Sequence, residues 1–279
     1  MERLSNYKQG ERNAPHLNQI TMNTNEKIHK AFNNRETVEV ENVYKPYKEQ
    51  KTLLGKGNTN AKTKKNAIET YILYLSPYTE NSKNINVCPK ASKGCAAACL
   101  NTAGRGQMSN VQKSRRNKIE YYLHDKSKFI NHLAKEIKKA ILKATVKGND
   151  IAFRLNGTSD IDFIYLLKKY ADFDALNTPD NVHFYDYTAI LGKARKYKGT
   201  KYAVTLSRKE DNQSEIDAAI AEGINVSVVF ANELPAEYNG AKVLDGDMAD
   251  DLMLTNKGIV LGLKAKGDAK KDETGFVVR

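Results

Sequence analysis

The sequence predicts an α/β protein on a β/α barrel (TIM-like, complete or partial) with a polar N-terminal extension. Two observations lead there. From residue 69 onward, β-branched and aromatic runs alternate with stretches of helical period, as a parallel sheet with right-handed crossovers requires. Polar residues also recur at strand ends, in RLNGTSD, DYT, SRKE and DGD, where β/α barrels keep their functional site.

The elements follow in order. Residues 1–52 are rich in Asn, Lys and Glu and read as an extension holding one short helix near Glu26–Asn33; residues 53–279 form the barrel-like domain. LLGKGNTNAKTKKN (53–66) reads as an exposed basic loop. TYILYLS (70–76), bounded by Pro77, is a strand. Two basic helices, Asn110–His124 and Lys128–Lys147, come next. In the second, Phe129, Ile130, Leu133, Ile137, Ile141 and Leu142 form an apolar stripe at helical spacing. IAFRL (151–155) is a strand and Phe163–Tyr170 a helix, with Ser159 or Asp160 placed to cap it. VHFYDYT (182–188), KYAVTLS (201–207) and NVSVVFA (225–231) are strands, and Ser214–Glu222 is a helix closed by Gly223. AKVLDGD (241–247) and GIVLGLKAKG (258–267) are the last strand candidates.

No run approaches the ~18 apolar residues that span a bilayer, and MERLSNYKQGERN has no apolar signal core. The expectation is a cytoplasmic protein without a membrane partner. Its net charge of +12 is uneven. Residues 1–150 carry 28 Lys+Arg against 13 Asp+Glu, a net of +15, whereas residues 151–279 carry 17 against 20, a net of −3. Two readings stand: a nucleic-acid partner for the basic half, or lysines that merely solvate helix faces.

All three cysteines fall in VCPKASKGCAAAC, with the spacing Cys-x6-Cys-x3-Cys. An odd count in a reducing compartment argues against disulfides. On a helix Cys95 and Cys99 share one face, and the Pro89 turn brings Cys88 over it. Three convergent thiolates suit a soft metal. The alternative is three small buried thiols in an alanine-rich helix. Structural zinc needs a fourth protein ligand, for which only the distant His124, His132 and His183 are on offer. A 4Fe-4S cluster on three cysteines instead leaves one iron open to a small-molecule ligand, and is the favoured cofactor over zinc. Asn156, Ser159, Asp160, Asp186, Ser207 and Arg208 are the strand-end residues expected to line that pocket. The catalytic residues stay unassigned. The rival reading is a nucleic-acid-binding protein with a structural zinc or cluster. Glycine-rich AGRGQ (103–107) lacks the phosphate-loop pattern and follows no strand.

With GKGNTNAKT, VCPKASKGCAAAC, RLNGTSD, HFYDYT, YAVTLSRKEDN, NVSVVF, VLDGD and IVLGLKAKG in this order, the chain resembles the phage-encoded gene product 88-like family over roughly residues 55–279. The resemblance implies a phage or prophage origin and iron–sulfur binding. Members carry RxHxSGD-like residues where this chain has RLNGTSD, so a role for that histidine does not transfer. The three cysteines after the first barrel strand are also distantly similar to those of radical-SAM enzymes, whose open iron binds S-adenosylmethionine. The spacing here departs from their Cys-x3-Cys-x2-Cys.

Overall fold

The computed structural model describes residues 46–57, 68–248 and 252–279. The helix expected near 26–33 and most of the basic loop, 58–67, lie outside the described residues. A compact unit begins at Pro46.

Its centre is a nine-stranded sheet in the order β1-β2-β3-β4-β5-β6-β9-β8-β7. The strands are β1 (Leu54–Lys56), β2 (Glu69–Leu73), β3 (Ile151–Arg154), β4 (Val182–Thr188), β5 (Tyr202–Ser207), β6 (Val226–Phe230), β7 (Glu237–Tyr238), β8 (Ala241–Asp245) and β9 (Val260–Lys264). From β2 through β6 to β9 and β8 every pairing is parallel; β1 and β7 are antiparallel edges. The first five parallel strands thus follow in chain order, as in a β/α barrel, but the sheet is open. After β6 the order reverses to β9-β8-β7, and the short hairpin β7–β8 ends the sheet instead of closing it onto β1.

Seven helices accompany the sheet: α1 (Lys93–Ala97), α2 (Ser109–His124), α3 (Lys126–Lys147), α4 (Phe163–Ala171), α5 (Leu191–Tyr197), α6 (Gln213–Ala221) and α7 (Leu252–Thr255). Pairing register puts Phe153, Phe184, Tyr202, Leu206, Val226 and Val260 on one face, since Phe153 opposes Phe184, Phe184 opposes Tyr202, and Leu206 and Val226 are partners. The buried stripe of α3 (Phe129, Ile130, Leu133, Ile137) packs with the β3–β4 end of this face, and Ala194, Ile216 and Ala219 of α5 and α6 with the β5–β6 end. The Phe153 and Phe184 rings stack at 5.2 Å; burying each such side chain is worth about 1.5–3 kcal/mol. Among the described residues, the short α7 is the helix that packs on the opposite face, through Met253 against Tyr185 and Leu261.

Several boundaries differ from the sequence expectation. Leu53 and Leu54 are not part of an exposed loop: both are buried, and β1 pairs with β2. The amides of Leu53 and Leu54 donate to the Glu136 carboxylate of α3 at 2.7 and 2.9 Å, which anchors this edge. The N-cap of α4 is neither Ser159 nor Asp160 but Asp162, whose carboxylate accepts from the Tyr165 amide. Gly223 closes α6 at φ +70°, the left-handed region that glycine enters freely. Among the described residues, no helix is long and apolar enough to cross a membrane.

Candidate metal centre

The loop that carries the cysteines leaves the C-terminal end of β2 and lies over the ends of β3 and β5. It turns at Tyr78, whose φ of +51° is unusual for a bulky residue. The Tyr78 carbonyl accepts from the Val87 amide at 3.2 Å, closing a subloop that delivers Cys88. Cys88 Sγ then lies 3.6 Å from the Thr158 carbonyl, at the end of β3.

Cys95 sits on α1, which is held from outside. Ser92 caps the helix by accepting from the Cys95 amide at 3.1 Å. Glu210, past the end of β5, accepts from Ser92 Oγ at 2.6 Å and from the Gly94 amide at 2.8 Å. A Cβ on Gly94 would stand 2.3 Å from Thr274 Oγ1 and 2.5 Å from Phe276 Cβ, so only glycine lets the 272–279 segment lie against α1. That segment is in turn fastened by Arg208, which donates to the Phe276 carbonyl at 3.0 Å, and by a bridge from Val278 to Phe230 of β6. Cys99 lies past the end of α1 rather than on the same helix face as Cys95, as the sequence suggested; its sulfur accepts from the Asn101 amide at 3.5 Å and caps the short turn Leu100–Thr102.

The three thiols are free, half-buried and gathered around the Tyr78 phenol, which hydrogen-bonds Cys95 and senses Cys99 and Cys88. Burial, then the neighbouring sulfurs, drives that phenol well above its usual range. Burial also pushes the Cys88 thiol up to about 12, with Cys99 and Cys95 adding to it. It raises Cys95 and Cys99 as well. Without a cation the thiols therefore keep their protons at neutral pH; a bound soft metal reverses this and deprotonates them.

Positive charge is at hand. Arg115 of α2 is buried, lies beside Cys99, covers the Tyr74 ring at 4.7 Å and donates to Asn101 Oδ1 at 2.6 Å. Among the described residues its Nε has no hydrogen-bond partner, and such an orphan in a buried site is costly. Lys209 is the cation beside Cys95. Beside Cys88 opens a hollow of about 260 Å³, lined by Val87, Pro89, Tyr122, Lys126 and Asp160 among others.

The strand-end residues expected to line a pocket are placed close by but are engaged with one another. Asp186 is fully buried and accepts from the amides of Leu155 and Asn156, from Asn156 Nδ2, and from Tyr202 Oη at 2.9 Å. Burial raises its carboxyl, opposed by Lys193 and Arg154. Asn156 Oδ1 accepts from Ser159 Oγ at 3.0 Å and from the Ile161 amide. Asp160 accepts from Thr188 and forms a buried ion pair with Lys193 at 3.0 Å. Ser207 Oγ meets Ser227 Oγ at 3.3 Å. Tyr78, Arg115, Lys209 and Glu210, absent from the expected set, touch the cysteine loop directly. Of these only Lys209 and Glu210, in SRKED after a strand, carried a sequence signal.

The donor chemistry distinguishes the metals. His124 lies at Ser82 and Glu120, and His132 pairs with Glu136, so neither joins the thiols. Among the described residues, no group of three or more His, Cys, Asp or Glu side chains is arranged to hold a metal ion. Zinc would need a fourth protein ligand that neither His124 nor His132 supplies, whereas a cluster on three cysteines would need none.

No curated protein and no solved structure matches the chain. The family model described as Gene product 88 matches residues 49–279, which takes in the whole sheet, the cysteine loop and the segment that clasps it; the chain belongs to that family.

Proposed function

We propose that this protein carries an iron–sulfur cluster on Cys88, Cys95 and Cys99, and that the iron without a cysteine ligand is open to a small molecule. One observation carries the reading: the three cysteines of the loop at the C-terminal edge of the parallel sheet lie near one phenol, Tyr78, with buried Arg115 beside Cys99 and buried Lys209 beside Cys95. Such a cluster supplies a redox-active centre with one exchangeable coordination position.

The chain's own residues have definite parts. As a thiol Cys88 donates to the Thr158 carbonyl, a bond given up when it ionises to bind iron, and Ser92 with Glu210 fixes α1 and hence Cys95. Arg115 and Lys209 offset the negative charge that develops when the thiols ionise. S-adenosylmethionine is the first ligand to try, an analogy of cluster position alone. The saturated hydrogen bonds of Asn156, Ser159 and Asp160 leave ligand contacts to other groups at this edge.

The test is purification without oxygen, an absorption spectrum and metal analysis. The expected result is absorption near ~400 nm with about four irons and four sulfides per chain, all lost in Cys95→Ala. One zinc without sulfide, or no metal after reconstitution with iron and sulfide, overturns the reading.

A further inference from the structure

Helix α3 has two sides of opposite character. Its inner side (Phe129, Ile130, Leu133, Ile137, Ala140, Ala144) is buried against the sheet. Its outer side presents Lys135, Lys139, Lys143 and Lys147, all exposed and each four residues from the next. Successive lysines are therefore about 6 Å apart along the axis. Lys138 lies on the ridge beside this row, together with Leu142 and Val146, 66% and 80% exposed.

Like charges at this spacing oppose one another along a helix. Acidic neighbours usually relieve them, but the acids of α2 and α3 are used elsewhere. Glu136 holds the β1 edge and His132, and Glu120 holds Ser82 and His124. Asp125 caps α3. Among the described residues, none of the four lysines has an ion-pair partner.

We propose that the outer face of α3 is a binding surface for the sugar–phosphate backbone of a nucleic acid, contacted by Lys135, Lys139, Lys143 and Lys147. A row of regularly spaced cations that winds slowly around the helix, along an i, i+4 ridge, suits a strand of regularly spaced phosphates that itself winds around a duplex. A membrane surface fits less well, because the helix's apolar stripe is committed to the core and only Leu142 and Val146 are left to insert. The surface is independent of the cysteine site, and the proposal stands whether or not a cluster binds there.

The test uses the full chain and fluorescence anisotropy with a labelled DNA 20-mer, single-stranded and duplex, across a salt series. Two variants with the same change of charge are compared: Lys→Gln at 135, 139, 143 and 147, and Lys→Gln at the exposed positions 198, 257, 270 and 271. Glutamine keeps a helix propensity close to that of lysine, so α3 is retained. The expected result is that the first variant alone loses binding, its log Kd against log salt becoming shallower by about 3 to 4 on duplex. Equal loss in both variants, no binding by the parent chain, or row-dependent binding to anionic phosphatidylserine vesicles but not to DNA overturns the proposal.

Discussion

The turn after β3 and the loop after β2 meet where Cys88 Sγ reaches the Thr158 carbonyl, yet their polar groups are treated in opposite ways. In the turn, the Asp186 carboxylate, the Asn156 amide and the Asp160 carboxylate each have several partners among themselves, Lys193 and nearby backbone. In and beside the cysteine loop, three protonatable thiols surround a phenol, and Arg115 Nε and the fully buried Ser76 Oγ lack partners among the described residues. A saturated network fixes a backbone and resists change. An under-satisfied one leaves bonding capacity for something else. The difference suits the turn to scaffolding and leaves bonding capacity in the loop.

The contrast breaks first, and most severely, at Asp186. Asp186→Ala leaves two amides and the Tyr202 hydroxyl buried without an acceptor, and Asn156 Nδ2 with the Ile161 carbonyl alone. A loss of about 3–5 kcal/mol is expected from the urea midpoint. Should Cys95→Ala cost as much in the same assay, the division between scaffold and site is wrong.

Gly94→Ala has an intermediate effect and acts on the loop alone. The added methyl meets Thr274, Phe276 and the Glu210 carboxylate at once. A penalty of about 1–3 kcal/mol is expected, together with reduced iron retention after gel filtration. Full retention of iron would show that the clasp on α1 does not position the cysteines.

Asp272 gives the smallest effect and a pH signature. Burial works to raise its carboxyl, but hydrogen bonds from the Thr274 hydroxyl and the amides of Val277, Thr274 and Gly275 outweigh it, and the net shift is below 3.8. A depressed carboxyl contributes stability that is complete above its unfolded value and is lost as pH falls through the folded one. The wild type is therefore expected to exceed Asp272→Asn by about 1 kcal/mol at neutral pH, with the gap shrinking below pH 3.8. A gap that stays constant down to pH 2 removes Asp272 from the clasp.

Much of this architecture was legible because local pattern and final packing agree. VHFYDYT gives β4 at the residues expected, 182–188, since its alternate side chains reach two faces of a covered strand. The stripe of α3 foretold its buried face, apart from Leu142, which the structure turns outward. Helix α5 was missed: seven residues containing Gly192 and three cations give little periodic signal. Strand β1 was hidden behind the basic loop that follows it, because Leu53 and Leu54 owe their burial to distant Glu136 and β2. Clustering alone singled out the cysteines. Their companions could not be read the same way, since Arg115 and Glu210 arrive through tertiary folding. Tyr78 matters through an unusual backbone angle that its identity does not advertise.

The clasp also sets an order of events during synthesis. Cys95 lies on α1, whose Gly94 amide bonds to Glu210, 116 residues later in the chain, and the 272–279 segment that covers Gly94 comes later still. On the ribosome the thiols therefore emerge well before anything that fastens them, and they stay accessible until β5 and then residues 272–279 have been made. Their exposure to oxidants and to metal donors is greatest in the nascent chain, and it falls to that of half-buried thiols when the last contact closes.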